Sequence, residues 1–229
     1  MTAVLTLARK ELRDARRNRW FLLYTVGLAV LALAFSGLGA SGLGELGIAG
    51  FGRTTASLIN LIMLVVPLMG LTLGALAIAS ERERGTLLYM LAQPVTVLEV
   101  YAGKLAGLGG AVLAALLVGF GLSGAVVALR VGRADASAYV ALVGLAFLLA
   151  LASLSIGLLL STLARRASSA VGLAIFVWLG LVFLGDLGVM GTSLVLRLGV
   201  PELTGLALVN PLQVFKVAAV LASRGSLEV

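Results

Sequence analysis

The sequence contains no cysteine and no histidine in its 229 residues. Without cysteine, the chain cannot form disulfides, thiolate metal sites or a cysteine nucleophile. Without histidine, it also lacks the commonest general base and a preferred ligand of zinc and copper. We therefore predict that the chain has no catalytic site of its own and binds no metal or other cofactor.

Charged residues are also scarce. They make up 12% of the chain, whereas 61% of the residues are hydrophobic. Soluble domains carry about 25% charged residues, and the core of one soluble domain cannot bury so large a share of hydrophobic residues. The composition therefore predicts an all-α, polytopic membrane helix bundle.

Five apolar stretches are near or above the length of roughly 18 residues that a membrane-spanning helix needs. We predict helices because a lipid-exposed backbone must satisfy its own hydrogen bonds. The five predicted spans are 20–38, 58–79, 105–129, 138–163 and 171–196. This divides the chain into an interfacial helix at 1–19, a transmembrane domain at 20–196 with a long inner loop at 81–104, and an outer-side tail at 197–229.

The distribution of basic residues predicts the orientation. Eleven of the 17 Lys and Arg residues lie before the first span or in the two inner connections, and six lie on the other side. The positive-inside rule then places the amino terminus in the cytoplasm of a multi-pass protein of the cell membrane, the inner membrane in a Gram-negative cell. The net charge of +7 therefore indicates orientation rather than nucleic-acid binding. A cleaved signal peptide is the competing interpretation, but Glu11 and Asp14 and the long apolar run argue against it.

The amino-terminal segment has the pattern of an amphipathic helix on the inner leaflet. Its apolar residues recur at helical spacing, and charged residues occupy the remaining surface. This segment is either a topology anchor or part of a docking surface for a cytoplasmic partner. The apolar positions are Val4, Leu5, Ala8, Leu12 and Ala15, and the charged ones are Arg9, Glu11, Arg13, Arg16 and Arg17.

The inner loop predicts a short helix held between the second and third spans. The charged run 81–84 ends the second span in water, and Gly85 breaks the helix. A short apolar segment follows and stops at Pro94. Thr96 and Glu99 then fit a capping box, which starts the helix of the third span. A plain helical connection is the alternative interpretation of this loop.

Two polar residues within the spans, Asn60 and Asp186, are candidates for lining a transport pathway, because polar groups are costly in the bilayer. Glycines spaced four residues apart, at 70 and 74 and at 103 and 107, predict close helix packing.

The loop also resembles a known family. The run 81–88, the Gln93-Pro94-Val95 triplet and Gly103-Lys104 resemble the signature loop of ABC-2 type permeases, the membrane subunits of ATP-driven transporters. Segments 8–12 and 18–20 resemble that family too. Segment 210–216 is most similar to the permeases of nitrous-oxide-reductase maturation (Nos) transporters. Such permeases usually have six spans, so the resemblance implies a further span after Val229.

The resemblance implies a permease that couples ATP hydrolysis to export or to force transmission across the membrane, in the maturation of a copper enzyme. It implies a second permease copy, a periplasmic partner, and a separate cytoplasmic ATPase that binds ATP and magnesium. Residues 85–92 would be the coupling helix that docks on this ATPase. A membrane scaffold or assembly factor without transport is the alternative. The implied interface residues are Glu81, Glu83, Gly85, Thr86, Leu87, Leu88, Leu91 and Pro94.

Overall fold

The structure, a computed structural model, describes residues 2–40, 50–130, 136–195, 205 and 208–224. The described residues contain helices and no strand, which confirms the predicted all-α class. The helices are α1 Thr2–Ala15, α2 Arg19–Ala40, α3 Gly50–Glu83, α4 Thr86–Leu91, α5 Val97–Arg130, α6 Ala136–Leu163, α7 Ala167–Val195 and α8 Pro211–Arg224.

Four of the predicted spans are long and apolar enough, within the described residues, to cross a membrane. These are Arg19–Gly37, Ala56–Glu83, Val97–Val126 and Ser137–Leu163. The fifth predicted span coincides with α7, a continuous helix whose described apolar part, Ala167–Phe183, is shorter than a span. Residues 41–49, between the first two predicted spans, lie outside the described residues.

Helix α3 lies in the middle of the bundle and contacts α2, α6, α7 and α8. Its most extensive contact is with α6, and small residues allow this contact to be close. A Cβ atom built on Gly70 would lie 2.9 Å from the Ala150 carbonyl oxygen, and one on Gly74 would lie 2.5 Å from the Leu154 carbonyl oxygen. The predicted packing role of this glycine pair is confirmed.

Helix α1 packs on α5 through the second glycine pair. A Cβ atom on Gly103 would lie 2.6 Å from Cβ of Leu7, and one on Gly107 would lie 2.5 Å from the Ala8 carbonyl oxygen. The predicted apolar stripe is therefore divided. Ala15 is buried in the bundle, whereas Leu5 and Leu12 remain exposed and available to lipid.

The tail contains a helix that the sequence analysis missed. In α8, Leu212, Phe215 and Ala219 are buried, and the helix packs mainly on α6. Their spacing of three and four residues is helical, but α8 has only 14 residues and is too short for a search based on spanning length. Part of the predicted outer-side tail therefore belongs to the bundle core.

Candidate functional site

The junction between α3 and α4 is a tight turn at Gly85. Its φ angle of 75° lies in the left-handed region, which glycine adopts without the steric cost of a Cβ atom. The hydroxyl of Thr86 then donates a 3.2 Å hydrogen bond to the carbonyl oxygen of Glu81. The predicted helix break and the predicted short helix are both confirmed, and α4 is anchored to the last turn of α3.

The side chains that α4 exposes differ from those predicted. Leu88 is 75% exposed, as expected, and so is its neighbour Tyr89, at 80%. Leu87 is only partly exposed, and the side chain of Leu91 lies outside the described part of the chain. Tyr89 was not among the residues expected from the sequence, because that expectation considered only the leucines. In a helix of six residues, the neighbour of an exposed leucine can be exposed as well.

The connection from α4 to α5 also exposes apolar side chains. Pro94 is exposed in this connection, and Val97 and Leu98 are exposed in the first turn of α5. At the other end of α4, Gly85 is partly exposed and Thr86 is exposed.

The capping box at the start of α5 forms as predicted. The backbone N–H of Thr96 donates to Oε2 of Glu99 at 2.9 Å. The backbone N–H of Glu99 donates to Oγ1 of Thr96 at 3.2 Å. Two N–H groups that the helix cannot pair internally are therefore satisfied, and the start of α5 is fixed directly after the loop.

The charged run at the end of α3 does not simply project into water, which corrects the sequence prediction. Arg82 donates hydrogen bonds to the carbonyl oxygens of Thr162 and Ala164, at the end of α6. Oε2 of Glu83 accepts a 3.0 Å hydrogen bond from the backbone N–H of Ala167, at the start of α7. These contacts fasten the α6–α7 turn to the end of α3 and place α4 at the same end of the bundle.

Glu81 and Glu11 face the interior, although the sequence analysis placed both on docking or membrane surfaces. Lys104 on α5 is fully buried and lies between them. Its Nζ atom is 2.8 Å from Oε1 of Glu11, 2.8 Å from Oε2 of Glu81 and 3.0 Å from the Ala77 carbonyl oxygen. The ammonium donates hydrogen bonds to Glu11 and to the Ala77 carbonyl oxygen, whereas its contact with Oε2 of Glu81 is an ion pair without hydrogen-bond geometry.

Lys10 completes this group of charges from the exposed side of α1. Its Nζ atom is 2.6 Å from Oε1 of Glu81 and 3.4 Å from Oε1 of Glu11. Burial opposes its charged form, but the hydrogen bond to Glu81 and the charges of both glutamates raise the pKa of Lys10 above its usual value. Two cations therefore balance two anions. We call Lys10, Glu11, Glu81 and Lys104 the Lys104 junction.

The arginines predicted for the polar surface of α1, at positions 9, 13, 16 and 17, are all exposed. Of the two candidate pathway residues, Asn60 has a described side chain and Asp186 does not. Asn60 is exposed and lines a cavity of about 140 Å³ together with Gln213 and Lys216. The side chain of Asp186 lies outside the described residues, although its backbone belongs to α7. A pathway role for either residue stays a prediction.

The fold and the loop define a class of protein: a multi-pass helical membrane protein with a short exposed helix between two spans. Residues 5–226 match the family model described as ABC-2 family transporter protein, and the chain belongs to that family. It is the membrane permease subunit of an ABC transporter, and its family implies a partnering ABC ATPase.

Two curated relatives share the name Probable ABC transporter permease protein NosY. The protein of Pseudomonas aeruginosa strain PAO1 is 35% identical over 222 residues, which cover 94% of this chain and 81% of the relative. The protein of Stutzerimonas stutzeri is 36% identical over an alignment of 233 positions, which covers 99% of this chain and 84% of the relative. The family predicted from the loop and the likeness to Nos permeases are both confirmed.

Proposed function

We propose that α4 is the coupling helix on which the partner ABC ATPase docks, with Leu88 as a central anchor. The observation that carries this proposal is the exposure of Leu88 and Tyr89 on a helix that lies between two spans and has its main contact, among the described helices, with α3. Exposed apolar side chains at such a position have a large free-energy gain available from burial in a partner.

The proposal places the amino terminus and α4 in the cytoplasm, and the chain in the inner membrane of a Gram-negative cell. The basic residues support this orientation. Arg82 and Arg84 flank the loop, α1 carries four exposed arginines, and the α6–α7 turn carries Arg165 and Arg166. The Arg82 and Glu83 contacts and the pair between Lys10 and Glu81 bring these segments to one end of the bundle, as the positive-inside rule requires.

In this proposal, the ATPase binds ATP and magnesium, and the permease supplies no catalytic group. Nucleotide-driven movement of the ATPase displaces α4 and shifts the bundle between two packings, in a complex with a second permease copy. The output is export or force passed to a periplasmic partner. The relatives named NosY and the resemblance to Nos permeases support a role in maturation of a copper enzyme. A membrane scaffold without transport is the alternative.

Replacement of Leu88 by Asp tests the proposal directly. Interface anchors of this kind cost about 2 kcal/mol or more when they are removed, which is roughly a thirty-fold weaker complex. We therefore expect Leu88→Asp to lose most of the co-purifying ATPase while the permease inserts normally. Leu163→Asp is the matched control, because Leu163 is a 69% exposed leucine at the same end of the bundle but outside the loop.

The co-purified ATPase should be quantified against the amount of permease, and insertion should be checked by thermal unfolding in detergent. Retention of the ATPase by Leu88→Asp at the level of Leu163→Asp would contradict the docking role of α4 and favour the scaffold alternative.

A further inference from the structure

Movement of α4 is passed most directly to the last turn of α3. Among the described helices, the main contact of α4 is with α3, and its first residue, Thr86, is hydrogen-bonded to the carbonyl oxygen of Glu81. The left-handed turn at Gly85 joins the two helices without an intervening flexible segment. The position of α4 is therefore mechanically tied to the position of Glu81.

The carboxylate of Glu81 forms ion pairs with two other helices. Its Oε1 atom pairs with Lys10 on α1, at 2.6 Å, and its Oε2 atom pairs with Lys104 on α5, at 2.8 Å. Lys104 in turn pairs with Glu11 on α1, at 2.8 Å, so that α1 and α5 are also linked to each other. One carboxylate therefore links the helix that carries α4 to both of its neighbours at this end of the bundle.

We propose that the Lys104 junction makes α1, α3 and α5 move as one unit when the ATPase displaces α4, with Lys104 as the positioning residue. This inference rests on the docking role proposed for α4. In this role, the junction carries displacement from α3 to α1, because α1 and α4 share no extensive contact in the described part of the chain.

The charges in the junction give a physical reason for this rigidity. Apolar helix surfaces can slide past each other, because dispersion contacts are individually weak and are replaced by similar ones. A buried ammonium that loses its carboxylate partner finds no equivalent partner nearby. An unpaired buried charge is strongly unfavourable. Separation of α1 from α3 would leave Lys104, which is fully buried, with an incomplete set of acceptors.

The test measures whether α1 and the loop keep their distance when nucleotide binds. The chain has no native cysteine, so spin labels can be attached at Arg13→Cys on α1 and Gln93→Cys after α4, both exposed positions. The labelled permease, diluted with unlabelled permease, is purified with its ATPase. The distance distribution is then measured by pulsed electron paramagnetic resonance, without nucleotide and with ATP, magnesium and vanadate.

With the native junction, we expect the distance between the labels to stay the same in both states. With Lys104→Met, we expect it to shift or broaden when nucleotide binds, together with loss of stimulated ATP hydrolysis. Tyr139→Phe is the matched control. The Tyr139 hydroxyl is also partly buried and hydrogen-bonded, to Ser123 at 2.6 Å and to the Phe120 carbonyl oxygen at 2.7 Å, but it joins α6 to α5 far from the junction. This variant should behave like the native junction, even though it also loses stability.

If Lys104→Met does not insert, Glu11→Gln decides the question, because it keeps the size and a hydrogen-bond acceptor but removes one charge. An unchanged distance in the folded variant, or a nucleotide-dependent change already present with the native junction, would overturn the proposal. The amount of ATPase retained separates the two inferences. Loss of ATPase binding only with Leu88→Asp supports docking at α4, and retained ATPase with an unchanged distance in Lys104→Met refutes the junction alone.

Discussion

Gly107 sets how closely α1 approaches α5, and adding one methyl group there should disturb the adjacent Lys104 junction. A Cβ atom at this position would lie 2.5 Å from the Ala8 carbonyl oxygen and 2.6 Å from Cβ of Glu11. Ordinary contacts between such atoms are about 3.5 Å, so Gly107→Ala requires α1 to move outward by about 1 Å. The 2.8 Å pair between Lys104 and Glu11 would lengthen by a similar amount.

The expected cost combines two opposing effects. Overpacking of a tight contact costs about 1–3 kcal/mol, whereas replacement of glycine by alanine in a helix gains up to about 1 kcal/mol. The net change should therefore be destabilising. Gly110→Ala on the same helix is the matched control, because Gly110 is exposed and a Cβ atom there would meet no atom within 4 Å.

The free energy of unfolding should be measured by titration with sodium dodecyl sulfate in mixed micelles, followed by circular dichroism and the fluorescence of the two tryptophans. A cysteine placed at Ala15, which is buried in the native bundle, additionally reports displacement of α1 through its rate of reaction with a maleimide. Equal stability and equal labelling rates in Gly107→Ala and Gly110→Ala would refute the argument that close packing at Gly107 holds α1 in place.

Three further predictions test other parts of the structure. A cysteine at Thr86 should not react with an impermeant external reagent in intact cells, and labelling would show that the loop faces outward. Ser161→Ala should destabilise the α3–α6 contact by about 1–3 kcal/mol in the same titration. The Ser161 hydroxyl accepts hydrogen bonds from the backbone N–H groups of Ile78 and Ala79 and donates a 2.6 Å hydrogen bond to the Ala75 carbonyl oxygen. Asn210→Ala should release α8, because the Asn210 side-chain amide donates a 2.7 Å hydrogen bond to the Leu181 carbonyl oxygen of α7. Faster proteolysis near residue 210 would report this release, and an unchanged rate of proteolysis would contradict it.

Features that depend on a few adjacent residues were predictable from the sequence. The spans follow from the length of each apolar run, because the bilayer itself sets that length. The turn at Gly85 and the capping box between Thr96 and Glu99 follow from backbone sterics and from hydrogen bonds over three residues. The signature loop could also be assigned to its family from these same residues. No distant part of the chain needs to be known for any of these conclusions.

The partners of the buried charges could only be decided by the tertiary structure. Glu11 and Lys104 are 93 residues apart in the sequence, and Lys10 and Glu81 are 71 apart. In sequence alone, Glu11 is one more charge on an amphipathic helix and Glu81 is the polar end of a span. Glu11 becomes an interior group because the glycines of α5 let α1 approach closely enough for its carboxylate to meet Lys104. Glu81, on α3, becomes one because Lys10 of α1 and Lys104 of α5 both pair with it. Which face of a helix is covered depends on the neighbour that covers it, and periodicity along one helix carries no information about that neighbour.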